Sequence, residues 1–172
     1  MGIASETGEC KKFTSDELQQ HQRYMLRAIE LAEQAQEINE VPVGAVLVHQ
    51  GEIIAEAYNQ TISLSDPTAH AEILVLRQGA RVLQNYRLID TTLYTSLEPC
   101  CMCAGALVHA RVARLFFAAF DPKAGACGSI LQVAANPALN HRVESHGGIF
   151  QERSSELLKN FFKARRKNIP NS

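Results

Sequence analysis

The chain has 172 residues, of which 46% are hydrophobic and 20% charged, with a formal net charge of −1. That length is one domain's worth and can bury a sizeable core without staples, and the composition excludes a disordered chain, a coiled coil and a collagen-like fibre. No apolar run approaches the roughly 20 residues of a membrane span, and Met1 to Lys12, with Glu6 and Glu9 and no apolar stretch, does not read as a secretory signal.

Residues 1–12 are polar and expected to be frayed. A single domain is expected over 13–168, with a short tail at 169–172. Thr14-Ser15-Asp16-Glu17 is a capping box, and Phe13 and Leu18 are spaced as a hydrophobic staple, so a helix starts here. Met25, Ala28, Ile29, Ala32, Ala35 and Ile38 recur at helical spacing and carry it to about Ile38. Val43 to Val48 and Ile53 to Tyr58 are apolar and β-branched around His49-Gln50-Gly51-Glu52, which predicts an antiparallel hairpin. Asp66-Pro67-Thr68 reads as a helix start, for a helix over about Ala69 to Leu83. Leu93 to Leu97 is the third strand. Pro99 ends it and opens a helix over about Cys100 to His109.

Val112 to Phe117 is the fourth strand, Asp121 to Ser129 a loop and Ile130 to Ala135 a short helix. Val143 to His146 is a fifth strand, broken by Gly147-Gly148. A last helix spans about Ile149 to Lys167, with Leu157, Leu158, Phe161 and Phe162 on its apolar side. The order α-β-β-α-β-α-β-β-α predicts an α/β fold: one mixed five-stranded sheet with helices on both faces.

Charge and thiols are unevenly spread. Residues 1–40 carry eight acids and four bases, and 41–172 carry ten acids and thirteen bases. Lys159, Lys163, Arg165, Arg166 and Lys167 fall within nine residues that contain no acid. Such a run is either a solvated helix face or a local contact for phosphates. Of five cysteines, Cys100, Cys101 and Cys103 are clustered, leaving Cys10 and Cys127. The odd count and the clustering favour metal or catalytic thiols in a reducing compartment over a disulfide framework.

Two helix starts carry chemistry. Cys100 and Cys103, three apart in a first turn, share a face. The helix N-terminus favours their thiolates. With His70 they make a sulfur-and-imidazole set suited to Zn²⁺. There is no evident fourth ligand, which describes a catalytic site with one open position. Glu72 stands two residues after His70, where it can face that position and carry a proton from water to a leaving group. Each half alone is weak, because His-x-Glu is commonly a cap and Cys-x-x-Cys also serves redox pairs and zinc fingers. Together they describe hydrolysis at an electrophilic carbon.

His70-x-Glu72 with Pro99-Cys100-x-x-Cys103 matches the signature of the zinc nucleobase deaminases. The stretches Asp66-Pro67-Thr68-Ala69-His70-Ala71-Glu72-Ile73, Asn85-Tyr86-Arg87-Leu88-Ile89-Asp90, Leu97-Glu98-Pro99-Cys100, Met102-Cys103-Ala104-Gly105-Ala106 and Asn140-His141-Arg142-Val143-Glu144 extend the match, as does Phe161-Phe162-Lys163-Ala164-Arg165-Arg166. Over about Leu18 to Lys167 the chain resembles the bacterial tRNA-specific adenosine deaminases.

That resemblance implies a cytidine-deaminase-like fold, a three-layer α/β/α sandwich, in a cytoplasmic homodimer with one zinc per subunit and no membrane partner. The implied reaction is hydrolytic deamination, at carbon 6, of the wobble adenosine of a tRNA anticodon, chiefly in an arginine tRNA, to inosine. His70, Cys100 and Cys103 are the implied zinc ligands and Glu72 the proton carrier. Ala71 and Leu97 offer backbone groups to the reacting centre, and Asn59 a hydrogen bond to the base. Asp121 lies beside the RNA backbone, where a carboxylate accepts from a ribose 2′-hydroxyl, and Arg165 and Arg166, with Lys167, meet the anticodon stem. Asn59 also reads as a strand-ending Asn, and Asp121 as a turn-former before Pro122. Phe120 stands where many relatives carry Arg, and Pro122 and Ala124 also depart from the pattern, so Phe120 either stacks on a base or packs. Cys101 is expected to point away from the metal, Cys10 and Cys127 to take no part, and His21, His49, His109, His141 and His146 to be structural or surface residues. Two rival readings are a free-base or nucleotide deaminase for guanine or cytosine on the same fold, and a zinc-stabilised RNA-binding module without catalysis.

Overall fold

The computed structural model describes residues 4–5 and 13–167. Its elements are β1 (Ala4–Ser5), α1 (Ser15–Glu37), β2 (Gly44–His49), β3 (Glu52–Tyr58), α2 (Ala71–Val82), β4 (Thr91–Leu97), α3 (Cys101–Ala110), β5 (Arg114–Ala119), β6 (Glu144–Gly147) and α4 (Gln151–Lys167). The strands form one mixed sheet in the order β1-β6-β5-β4-β2-β3. β2 pairs antiparallel with both β3 and β4, whereas β4–β5 and β5–β6 are parallel. The five expected strands are β2 to β6. The two-residue β1 adds to β6 at the sheet edge, so Ala4 and Ser5 are strand rather than frayed. The rest of residues 1–12, including Cys10, and the tail at 169–172 lie outside the described residues.

Strand alternation separates two cores. Ala45, Leu47, Leu93, Leu115 and Phe117 pack with Val75, Leu76, Leu107 and Val108 of α2 and α3. Val46, Val48, Tyr94, Phe116 and Ala118 pack on the other face with Tyr24, Met25, Ala28 and Ile29 of α1. α4 lies against β5 and α1, which Arg153 joins through a 2.8 Å ion pair to Glu33. Helices therefore cover both faces of the sheet, in three layers. Gly44 allows α1 to cross β2 closely, since a Cβ there would stand 2.2 Å from the Ala28 carbonyl oxygen.

Local signals explain the elements that form as expected. Thr14 Oγ1 accepts from Glu17 N at 3.2 Å and Thr14 N donates to Glu17 Oε2 at 2.8 Å, while Phe13 and Leu18 both pack on the α1 core. Gln50 (φ 51°) and Gly51 (φ 82°) are both left-handed, which matches the strand twist in a tight hairpin.

Several boundaries differ from expectation, and each difference has a cause. α2 starts at Ala71 rather than Ala69, because Asp66 Oδ1 is used by Thr68 N (2.8 Å) and Thr68 Oγ1 (2.7 Å). β4 starts two residues early because Thr91 and Thr92 are buried opposite His49 and Val48. The short helix expected over Ile130 to Ala135 does not form. Gln132 bridges Cys127 and Val133 N donates to Ala126 O at 2.9 Å, so these backbone groups are used by the preceding loop. On α4 the buried residues are Ser154 and Phe161, while Phe162 turns outward. Among the five other histidines, His21 Nδ1 meets Tyr94 Oη at 2.7 Å in the α1 core, His146 is buried there among aromatic rings, and His141 Nε2 meets Val112 O at 2.7 Å. His49 is half-buried and His109 exposed.

Candidate active site

The N-termini of α2 and α3 converge. His70 is the N-cap residue of α2 and Cys100 that of α3, and neither side chain makes a capping bond. Both side chains turn toward each other instead, and Cys103 joins them from the first turn of α3. His70 Nδ1 is 3.8 Å from Cys100 Sγ and 3.5 Å from Cys103 Sγ, and the three ligand atoms lie within 4.8 Å of one another. Zn–S bonds of about 2.3 Å and Zn–N bonds of about 2.0–2.1 Å in a tetrahedron put N and S about 3.6 Å apart. The donor set therefore has zinc's dimensions. Cys101, between the two thiols, is exposed and outside the cluster.

The charges also fit a cation. Cys103 and His70 hold the Cys100 thiol down at about 3. Cys103 is pushed far up by its place beside Cys100 and by burial. Two thiolates in contact need a positive charge to ionise together, and a divalent metal between them supplies it.

Glu72, the second residue of α2, is buried beside this cluster. Burial pushes its carboxyl up to about 7. Its Oε2 is fully buried and has no hydrogen-bond partner among the described residues. A buried polar atom of that kind calls for a partner outside the protein. Asn59, just past the end of β3, accepts a 2.8 Å bond at Oδ1 from Ala71 N. It thus supplies the capping bond that His70 does not make, across twelve residues of sequence.

Residues 18–119 match the cytidine and deoxycytidylate deaminase zinc-binding region. The chain belongs to this family. It is 49% identical over 146 residues to the tRNA-specific adenosine deaminase of Haemophilus influenzae, a match spanning 84% of each chain. A structure from biochemical and structural studies of A-to-I editing by tRNA:A34 deaminases superposes with a TM-score of 0.77 at 43% identity, covering 79% of this chain and 99% of that one. The guanine deaminase of Bacillus subtilis superposes with a TM-score of 0.57 at 33% identity, covering 88% and 97%.

Around the deaminase centre, two buried carboxylates organise the flanking loops, and sequence reasoning assigned a role to neither. Glu98, between Leu97 and Pro99, accepts from Asp121 N at 2.9 Å, from Cys127 N and Ser129 N at 3.0 Å each, and from Ser129 Oγ. Glu40, fully buried, accepts from Ile62 N (2.8 Å), Ser63 N (2.7 Å), Ser63 Oγ (2.6 Å) and Thr61 Oγ1 (3.2 Å). Burial alone would raise the Glu40 carboxyl, but the hydrogen bonds from Ser63, Thr61 and Ile62 hold it below its ordinary range. The one signal available from sequence is an acid followed by an apolar residue or proline, as in Glu40-Val41 and Glu98-Pro99.

The remaining expected residues fall in two places. Leu97 ends β4 opposite Ala119, next to Glu98. Asp121 Oδ1 accepts from Lys123 N (2.9 Å) and Ala124 N (3.3 Å), so the side chain does form a turn. Phe120 sits edge-on to Phe117 at 5.0 Å and keeps 39% of its surface exposed. Arg165 and Arg166 are exposed on the last turn of α4, with the Arg165 guanidinium 5.4 Å over the Phe161 ring. Among the described residues, no hydrogen bond or ion pair links them to the metal cluster.

Proposed function

We propose that this protein is a zinc-dependent hydrolase that converts adenosine to inosine at the wobble position of a tRNA anticodon, chiefly in an arginine tRNA. The observation that carries the reading is the orphaned buried oxygen of Glu72 beside a three-donor site, in a chain close to tRNA adenosine deaminases. His70, Cys100 and Cys103 would hold the metal, and zinc there supplies the Lewis acidity that makes a water nucleophilic near neutral pH. Glu72 takes one proton from that water and passes it to the adenine ring nitrogen, then takes the second from the hydroxyl added at carbon 6 and passes it to the departing amine. Water and adenosine thus become inosine and ammonia.

Asn59 is fixed by Ala71 at its oxygen, which leaves its amide N–H groups to donate to the base. The backbone of Ala71 and Leu97 lines the reacting centre. Asp121 spends Oδ1 on its own turn, so Oδ2 is the atom offered to a ribose 2′-hydroxyl. Arg165 and Arg166 meet backbone phosphates of the anticodon stem. The partner is the anticodon stem-loop, and the working unit is a homodimer of one domain (residues 13–168) per subunit. Such a dimer has exposed apolar side chains to cover at Ile62, Leu64, Ile130 and Leu131. A tRNA substrate supports a cytoplasmic place, and no helix among the described residues is long and apolar enough to cross a membrane.

The test compares an anticodon stem-loop bearing wobble adenosine with free adenosine, cytidine and guanine. Inosine in the stem-loop alone is expected. Ammonia from free guanine alone would instead place the protein beside the guanine deaminase it resembles at 33% identity.

A further inference from the structure

Residues 120–131 contain no regular helix or strand, yet they run alongside a metal ligand. Gly125 bridges Cys100, and Ala126 N donates to Pro99 O at 2.8 Å. The other attachment is Glu98. Its Oε1 collects Cys127 N and Ser129 N, and its Oε2 collects Asp121 N and Ser129 Oγ. Gly125 fits closely over the carboxylate, since a Cβ there would stand 2.4 Å from Glu98 Cδ. One buried side chain thus ties both ends of the loop to the segment that presents Cys100. The loop carries Phe120 and Asp121 at one end and exposed Ile130 and Leu131 at the other.

We infer that Glu98 is a positioning residue for the RNA: it sets the 120–131 loop as a preformed wall beside the metal site and acts on substrate affinity rather than on chemistry. This rests on the tRNA reading above. A loop without regular structure must otherwise be ordered at the cost of binding free energy, and fixing it beforehand removes that cost. The carboxylate suits the task because all four of its partners donate. An amide of the same size has one accepting end, and its NH₂ must face either Asp121 N–H or the two N–H groups of Cys127 and Ser129. The first orientation loses least, because the Ser129 hydroxyl can turn to accept. Glu98→Gln therefore releases Asp121 and its neighbour Phe120 while leaving the Cys127 and Ser129 amides held.

The experiment uses zinc-loaded full-length protein and an anticodon stem-loop, reading Kd by fluorescence anisotropy, KM and kcat by inosine formation, and zinc per subunit. For Glu98→Gln, Kd and KM are expected to rise roughly tenfold, the cost of ordering the released Asp121 end of the loop on binding, with kcat and zinc content within about twofold of wild type. Ser129→Ala, at an exposed residue, should raise Kd by a smaller factor and still fold, and it decides the matter if Glu98→Gln does not fold. Unchanged Kd, or a loss confined to kcat or zinc, would overturn the inference. If the wild type edits the stem-loop and both variants match its KM, the Glu98 inference fails alone. If the wild type releases ammonia only from a free base, it is the tRNA reading that fails.

Discussion

Glu72 carries the account at the scale of single residues. It lies in the first turn of α2, buried against thiols, with one oxygen unpartnered among the described residues. If it moves protons and does not hold the metal, Glu72→Ala should keep zinc and fold while kcat falls by roughly 10²–10⁴-fold. Metal analysis, circular dichroism and single-turnover assays check this. Unchanged turnover would remove the assignment. His70 with Glu72, and Cys100 with Cys103, were legible as pairs from spacing within their own helix starts, and the joining of the two starts, 30 residues apart, from the deaminase signature. Asn59 was legible as a strand-ending residue, which it is, and its expected contact to a base is a matter for experiment. Its bond to Ala71 N, and the partners of Glu98 and Glu40, lie 12 to 31 residues away and depend on loop paths that no local pattern encodes.

At the scale of elements, capping and periodicity were informative where the deciding interactions are local, as in α1 with its capping box. They failed at Ile130 to Ala135, where the expected short helix gives way to a bridge from Gln132 to Cys127 and a hydrogen bond from Val133 N to Ala126 O. They also failed at Phe162, which turns outward while Ser154 is buried, its hydroxyl donating to Ser96 O at 2.5 Å. The loop after β3 yields a pH prediction through Glu40. Its folded carboxyl is held below its ordinary value near 4.5. A depressed acid stabilises the fold above that ordinary value and loses this contribution as pH falls toward the folded one. Stability measured by urea unfolding should therefore fall as pH drops below about 5. Glu40→Gln, which keeps the shape but cannot titrate, should flatten that acid limb. An equally steep limb in the variant would show that Glu40 is not its source.

The whole molecule is nearly neutral, yet Lys159, Lys163, Arg165, Arg166 and Lys167 are exposed along the end of α4, and none forms an ion pair among the described residues. Bulk charge does not decide between a phosphate contact and a solvated face for this run, and a salt titration does. Replacing Arg165, Arg166 and Lys167 by alanine should weaken stem-loop binding and reduce the slope of log Kd against log salt by roughly two to three. An unchanged slope would make the segment a solvated face.

The most direct measurement gives zinc-loaded protein an anticodon stem-loop with adenosine at the wobble position, beside free adenosine, cytidine and guanine, and follows inosine and ammonia. Inosine confined to the stem-loop, abolished by Glu72→Ala at full zinc content, is the predicted result. Ammonia from a free base with an unedited stem-loop would contradict it.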